Sequence, residues 1–213
     1  MGTAYYFNGS NAYVYMDVFN NVPSSYLTIC ALFRTSVSDA FIVQLNRNSS
    51  NINNEMIFRI RSSKLQFWDY STQYGFPETQ TSVNNIATGN WRLGCFVKSS
   101  TTGNYYIDGA LDSQVTANVN VSYGNRSFAV GMDYRDKKYY FNGFIAGVYI
   151  YNRALSSTEI QQIYNTPNNP PTNGLVLWFS NPDFTNDCCK AIWRDKSGNG
   201  NNGQLYNVQM AYY

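Results

Sequence analysis

Histidine is missing from all 213 residues, and charged residues make up only 13% of the chain. Without an imidazole the protein lacks the commonest general base, the usual switch near neutral pH and the main zinc and copper ligand. The formal net charge is +2, and no stretch gathers Lys and Arg as a nucleic-acid footprint would. The densest basic group, Arg135, Lys137 and Lys138, has Asp133 and Asp136 among it and reads as a solvated turn. No nucleic-acid partner is expected. No apolar run approaches the roughly 18 residues of a membrane span, and "MGTAYYFNGS" has none of the anatomy of a signal peptide. Neither membrane insertion nor a leader is therefore expected. Cys30, Cys95, Cys188 and Cys189 show neither a CxxC pair nor zinc spacing. Cys30 and Cys95 fall in strand-like segments and read as buried thiols, with a bridge between them as the alternative. Cys188 and Cys189 read as structural or as partners for bridges.

What the chain has in place of charge is aromatic and amide side chains. Phe, Trp and Tyr reach 17%, so Asn, Ser, Thr, Gln and Tyr must wet much of the surface. Short β-rich runs recur between turn signals. "LTICALF" spans 27–33, and 41–45 is another short strand. "EMIFRIRSSKLQFWDYS" predicts a hairpin turning at Ser62-Ser63, with Met56, Phe58 and Ile60 on one face and Ile57, Arg59 and Arg61 on the other. Trp91, Leu93, Cys95 and Val97 share a face of the next strand. Asp108-Gly109 is a type I′ hairpin signal, and "SFAVGMDY" supplies a further strand. The spacing predicts an all-β protein, a two-sheet antiparallel sandwich or jelly roll.

The stretch "YYFNGFIAGVYIYNRALSSTEIQQIYN", residues 139–165, is organised differently. Phe144, Val148 and Ile150 fall at even positions with Tyr149 and Tyr151 between them, close to the period of two of a strand. Ser156 and Glu159 form a capping box for one short helix near 157–164, whose apolar side is Leu155, Ile160 and Ile163. This strand, cap and helix resemble the closing signature of the laminin-G-like domains of the concanavalin-A-like lectin and glucanase superfamily. "YYFNGSNAYVYM", "LTICALFR", "WRLGCFVKSSTTGNYYIDGAL" and "FAVG" resemble that family's earlier strands in order, over roughly residues 4–165. After a Pro/Asn-rich linker at 166–173 come "GLVLWFS" and "WRDKSGNGNNGQLYNV", which are similar to the family's opening strand and turn. Residues 1–165 are accordingly read as the sandwich and 174–213 as strands completing it, a circular permutation, with strand donation to a neighbouring molecule as the self-associating alternative. Trp91, Trp178 and Trp193 are expected in the core.

The resemblance includes glucanases, whose catalytic strand carries Glu-x-Asp-x-x-Glu. Here the glutamates are only Glu55, Glu78 and Glu159, none in that spacing, and there is no GxSxG-like elbow, so no enzyme is expected. Binding suits the composition better, because sugar rings stack their C–H faces on aromatics and offer hydroxyls to amides and carboxylates. Two loops gather such groups: Trp68, Asp69, Tyr70, Gln73 and Tyr74 in one, and Tyr134, Arg135, Asp136 and Tyr139 in the other. Calcium is the one candidate cofactor, since many laminin-G-like domains bind it, and Asp195, Ser197, Asn199 and Asn201 offer oxygen atoms in a Gly-rich turn. Asn8, Asn48, Asn120 and Asn125 lie in N-x-Ser sequons, which fits an exposed protein. The expected function is recognition of a glycan or surface protein by an extracellular or virion-exposed lectin-like module. A structural subunit of a virion or surface assembly is the alternative, and glycoside hydrolysis ranks third.

Overall fold

The computed structural model describes residues 2–21, 25–45, 55–70, 80–116, 126–180, 186–187 and 190–212. Gln73, Tyr74, Cys188, Cys189 and the sequons at Asn48, Asn120 and Asn125 lie outside the described residues.

Two antiparallel sheets face each other. The first holds β1 (Thr3–Asn8), β3 (Tyr26–Arg34), β7 (Trp91–Ser99), β8 (Thr102–Ile107), β9 (Ala110–Thr116), β11 (Asn142–Tyr151), β12 (Leu175–Ser180) and β16 (Gln209–Tyr212). Its order is β16-β1-β11-β3-β7-β8-β9, with β12 also paired to β11. The second holds β2 (Tyr13–Phe19), β4 (Ala40–Leu45), β5 (Glu55–Arg61), β6 (Lys64–Tyr70), β10 (Arg126–Val130), β13 (Asn186–Asp187), β14 (Lys190–Trp193) and β15 (Gly203–Tyr206). Its order is β13-β14-β15-β2-β10-β4-β5-β6.

Alternation builds the core between them. Met56, Phe58 and Ile60 of β5 point inward with Phe67 of β6, Phe96 of β7 and Phe33 of β3. Phe67 stacks on Phe96 across the gap, with centroids 4.2 Å apart. The C-terminal residues belong to the same core. Ile150 of β11 pairs with Leu177 of β12, Leu205 of β15 with Val14 of β2, and Met210 of β16 with Tyr5 of β1. Trp193 is buried, stacked on Phe179 at 4.8 Å and edge-on to Tyr5 at 4.9 Å.

A second apolar cluster lies outside the first sheet. Helix α1 (Ser157–Asn165) lays Ile160 and Ile163 over Leu93, Cys95, Val97, Tyr149 and Tyr151. Tyr149 and Tyr151 are therefore fully buried, and the second half of β11 is covered on both faces. The capping box forms as expected, with Ser156 accepting from the Glu159 N–H and Glu159 accepting from the Ser156 N–H. Replacing Ser156 by Ala is expected to lower stability by about 1 kcal/mol, read as a lower midpoint in urea at unchanged slope. Hydrogen bonds from Arg153, and then from Ser156, hold the Glu159 carboxyl down at about 2 although burial opposes them. A depressed carboxylate contributes stability above its ordinary pKa and loses it as pH falls through the folded value. The Tm gap between the protein and Glu159→Gln is therefore expected to be constant above the ordinary 4.5 and to close as pH falls toward about 2.

Three sequence expectations change. Cys30 and Cys95, directly opposite each other on β3 and β7, form a disulfide and are not free thiols. Trp193 is in the core, but Trp178 only borders the helix-side cluster and Trp91 is half-buried in neither cluster. Phe144 does not share a face with Val148 and Ile150. A register shift between Ile145 and Gly147 resets the alternation, so Ile145 enters the core and Phe144 stays on the outer face.

Candidate functional site

The outer face of the second sheet collects the aromatic and polar groups. Cross-strand register places Gln204, Tyr15, Ala129, Gln44, Ile57 and Trp68 in one row across six strands. Beside it run Phe41, Arg59 and Gln66. Phe41 and Gln44 are three residues apart, so strict alternation would put them on opposite faces. The register shift between Phe41 and Val43 admits Ile42 as an extra residue and turns both outward.

At one end of the face Arg59 is held between rings. Its guanidinium carbon is 5.4 Å from the Phe41 centroid and 5.7 Å from that of Trp68, within cation–π range. Its Nε donates to Gln66 at 2.6 Å. Burial, then the charge of Arg61, lowers its pKa. Tyr139 lies nearly parallel to Phe41 at 5.7 Å and leaves 49% of its own surface exposed. Its φ is +53°, an uncommon value for a bulky residue; its carbonyl accepts from the Phe41 N–H at 3.1 Å. Phe41, Arg59, Arg61, Asp39, Ser62 and Tyr139 line a cleft of about 360 Å³.

The turn carrying Tyr139 is pinned from below by a buried polar group. Gln44 donates to Asp133 at 3.2 Å and to Glu55, and accepts from the Tyr134 N–H at 2.7 Å. Asp133 also accepts from the N–H groups of Arg135 and Asp136. Arg135 reaches Glu55 at 3.2 Å and Asp136 at 3.0 Å, and hydrogen bonds from Arg135 and Lys138 hold the Asp136 carboxyl below its ordinary range. Above this group Tyr134 stacks on Tyr15 at 4.1 Å, while the Lys137 ammonium sits 3.4 Å from the Tyr134 centroid. Tyr13 stacks on Tyr206 at 4.5 Å. Burial pushes the Tyr15 phenol up to about 12 and raises Tyr13 as well, so these rings stay neutral across ordinary pH.

The two segments singled out in the sequence therefore converge on one face through Trp68, Tyr134, Arg135, Asp136 and Tyr139, with Tyr70 as the last residue of β6, its side chain outside the described residues. Asp69 is placed elsewhere. It shares parity with Leu65 and Phe67 and points into the core, where it pairs with Lys98 of β7 at 2.9 Å with both side chains fully buried. That placement was legible, since alternation along β6 sends Trp68 out and Asp69 in. Phe41, Arg59, Gln44, Tyr13 and Tyr15 are the groups that the motif reading missed. Alternation on β2 could have found the two tyrosines, whereas the bulge concealed Phe41 and Gln44.

The four calcium candidates sit together in the β14–β15 turn, with their polar atoms engaged. Asp195 accepts from the N–H groups of Trp178, Ser197 and Asn201 and from the Ser197 hydroxyl. Ser197, Asn199 and Asn201 donate to carbonyls of Val176 and Leu175 on β12, and Asn201 accepts from Asn20. This donor set fits a polar staple holding β12 to the turn and does not fit a cation, which would need oxygens that already accept hydrogen bonds. Among the described residues no group of three or more Cys, Asp or Glu is placed to hold a metal.

A laminin-G-type family model of the concanavalin A-like lectin/glucanases superfamily matches residues 8–161. The chain belongs to this superfamily. The two-sheet sandwich agrees with it, and so do solved structures. A Bacteroides ovatus ATCC 8483 protein, described as a candidate carbohydrate binding protein, is 15% identical with a TM-score of 0.69. The alignment covers 99% of this chain and 60% of that one, so this chain spans less than two thirds of that protein's length. The Ruminococcus gnavus IT-sialidase CBM40, bound to α2,3-sialyllactose, is 14% identical with a TM-score of 0.57, covering 73% of this chain and 94% of that one. Domains LG4-5 of the mouse laminin α1 chain are 15% identical with a TM-score of 0.57, covering 72% and 43%. At these identities the likeness is one of fold. No curated protein matches this superfamily member in sequence. Among its described residues no helix is long and apolar enough to cross a membrane.

Proposed function

We propose that this lectin/glucanase-superfamily domain is a non-catalytic glycan-binding module whose site is the outer face of the second sheet. The observation that carries the proposal is the row Tyr139–Phe41–Arg59–Trp68, in which an exposed ring and a guanidinium border a polar cleft. Pyranose C–H faces would lie on Tyr139 and Trp68, and their hydroxyls would meet Arg59, Arg61, Asp39 and Ser62 at the rim. A binding role without catalysis is favoured by the engagement of the nearby acids, since Glu55 and Asp133 are tied to Gln44 and Arg135. The Cys30–Cys95 disulfide suits an oxidising compartment, in keeping with action outside the cell, on a cell surface or on a virion.

A glycan array read against Trp68→Ala and Tyr139→Ala tests the reading. Each substitution is expected to weaken the strongest hit at least about tenfold, or roughly 1.4 kcal/mol, with unchanged Tm. Binding is also expected to persist in EDTA and to stay flat between about pH 5 and 9, because no histidine is present and Tyr15 titrates only near 12. Hits retained by both variants would remove this face from consideration.

A further inference from the structure

The opposite sheet has an aromatic row that the proposed site does not use. Helix α1 covers one end of that sheet's outer face. At the uncovered end, register aligns Tyr6 of β1, Phe144 of β11, Arg34 of β3 and Trp91 of β7 directly side by side. All four are partly exposed. The Arg34 guanidinium carbon lies 4.5 Å from the Phe144 centroid and 5.7 Å from that of Trp91. Tyr6 and Phe144 are 5.2 Å apart.

The bulge that turns Phe144 outward creates this row, and the approach of β11 to β3 depends on the preceding residue. Gly143 has φ +145°, and a Cβ there would meet the Arg34 carbonyl at 2.3 Å, so only glycine fits. Alongside the row runs a groove of about 210 Å³ rimmed by Thr35, Gly89 and Asn142. This is smaller than the roughly 300–1,000 Å³ of clefts for drug-sized ligands and suits a single ring.

Arg34 differs from the other clamped arginines in its partners. Arg59 is bonded to Gln66, Arg135 to Glu55 and Arg153 to Glu159. The Arg34 side chain makes no hydrogen bond or ion pair with any described residue, its contacts being the two rings. Its guanidinium lies against these rings while its N–H donors meet no partner among the described residues. A planar, preorganised guanidinium is complementary to a carboxylate, and the flanking rings are complementary to the C–H face of a sugar. We propose that this row is a second carbohydrate site, selective for a sugar ring that bears a carboxylate, with Arg34 binding the anion and Trp91, Phe144 and Tyr6 supporting the ring.

Two probes isolate the charge, because methyl β-glucuronoside and methyl β-glucoside differ at one carbon. Titrated into the 213-residue chain with ¹⁵N-labelled tryptophan, the glucuronoside is expected to shift the Trp91 indole signal with millimolar affinity. The glucoside is expected to bind there at least about tenfold more weakly. Arg34→Gln should abolish the preference, Arg34→Lys should restore only part of it, and added salt should weaken the glucuronoside alone. Trp68→Ala should change none of this, which separates the inference from the site on the other sheet. An unmoved Trp193 signal and unchanged Tm certify that each variant is folded. Equal binding of the two probes at Trp91, retention of the preference in folded Arg34→Gln, or glucuronoside shifts confined to Trp68 would overturn the proposal.

Discussion

Replacing Lys98 by Met is expected to destabilise the protein by about 3–5 kcal/mol, because it leaves the Asp69 carboxylate buried between the sheets without its cation. The ammonium and carboxylate are 2.9 Å apart and wholly shielded from water, one on each sheet. Removing both charges is a different matter. A buried ion pair often gains little over apolar side chains of similar volume, since the cost of desolvating the charges offsets their attraction. The double variant Lys98→Met/Asp69→Leu should therefore recover most of the loss. Chemical denaturation of the two single variants and the double gives the coupling directly. A single-variant loss below about 1 kcal/mol would be the value of an exposed pair and would contradict this burial.

Removal of residues 166–213 is expected to abolish cooperative folding. The segment carries Leu177, Phe179 and Trp193, all at most 1% exposed, and its strands pair with β11, β2 and β1. Its loss would open the edge of β11 to water along Gly147–Tyr151 and leave Tyr5 and Val14 without their partners from Trp193 and Leu205. Single truncations of buried aromatics already cost roughly 3–5 kcal/mol, while whole domains are stable by only about 5–15 kcal/mol. The shortened chain should show a broad, non-cooperative melt and bind hydrophobic dye. A sharp transition near the full-length Tm would mean that the segment is an appendage.

Much of the fold could be read from the chain because local signals agreed with the tertiary arrangement. The Ser62-Ser63 and Asp108-Gly109 turns have the positive φ that their hairpins require, and the Ser156–Glu159 box starts the helix where expected. The misread strand faces share one physical source. A β-bulge adds one residue and exchanges the faces beyond it, and nothing in residue type at Ile42 or Ala146 announces one. Phe41, Gln44 and Phe144 were thereby hidden, and with them one ring of each aromatic row. The disulfide was undetermined for another reason: two cysteines in separate strands become partners only once β3 and β7 are in register. Asp69 shows the opposite case, in which loop composition suggested a ligand contact although alternation along β6 already placed the side chain inside.

The tryptophans offer the most direct test of glycan binding on the second sheet, because Trp68 stands in the proposed site, Trp91 on the opposite face, Trp178 beside the helix cluster and Trp193 in the core. Indole N–H signals followed during titration with the strongest neutral array hit separate these places in one experiment. The expected result is a saturable shift at Trp68, lost in Tyr139→Ala, with Trp178 and Trp193 unmoved. A saturating ligand that leaves Trp68 in place would contradict binding at this face.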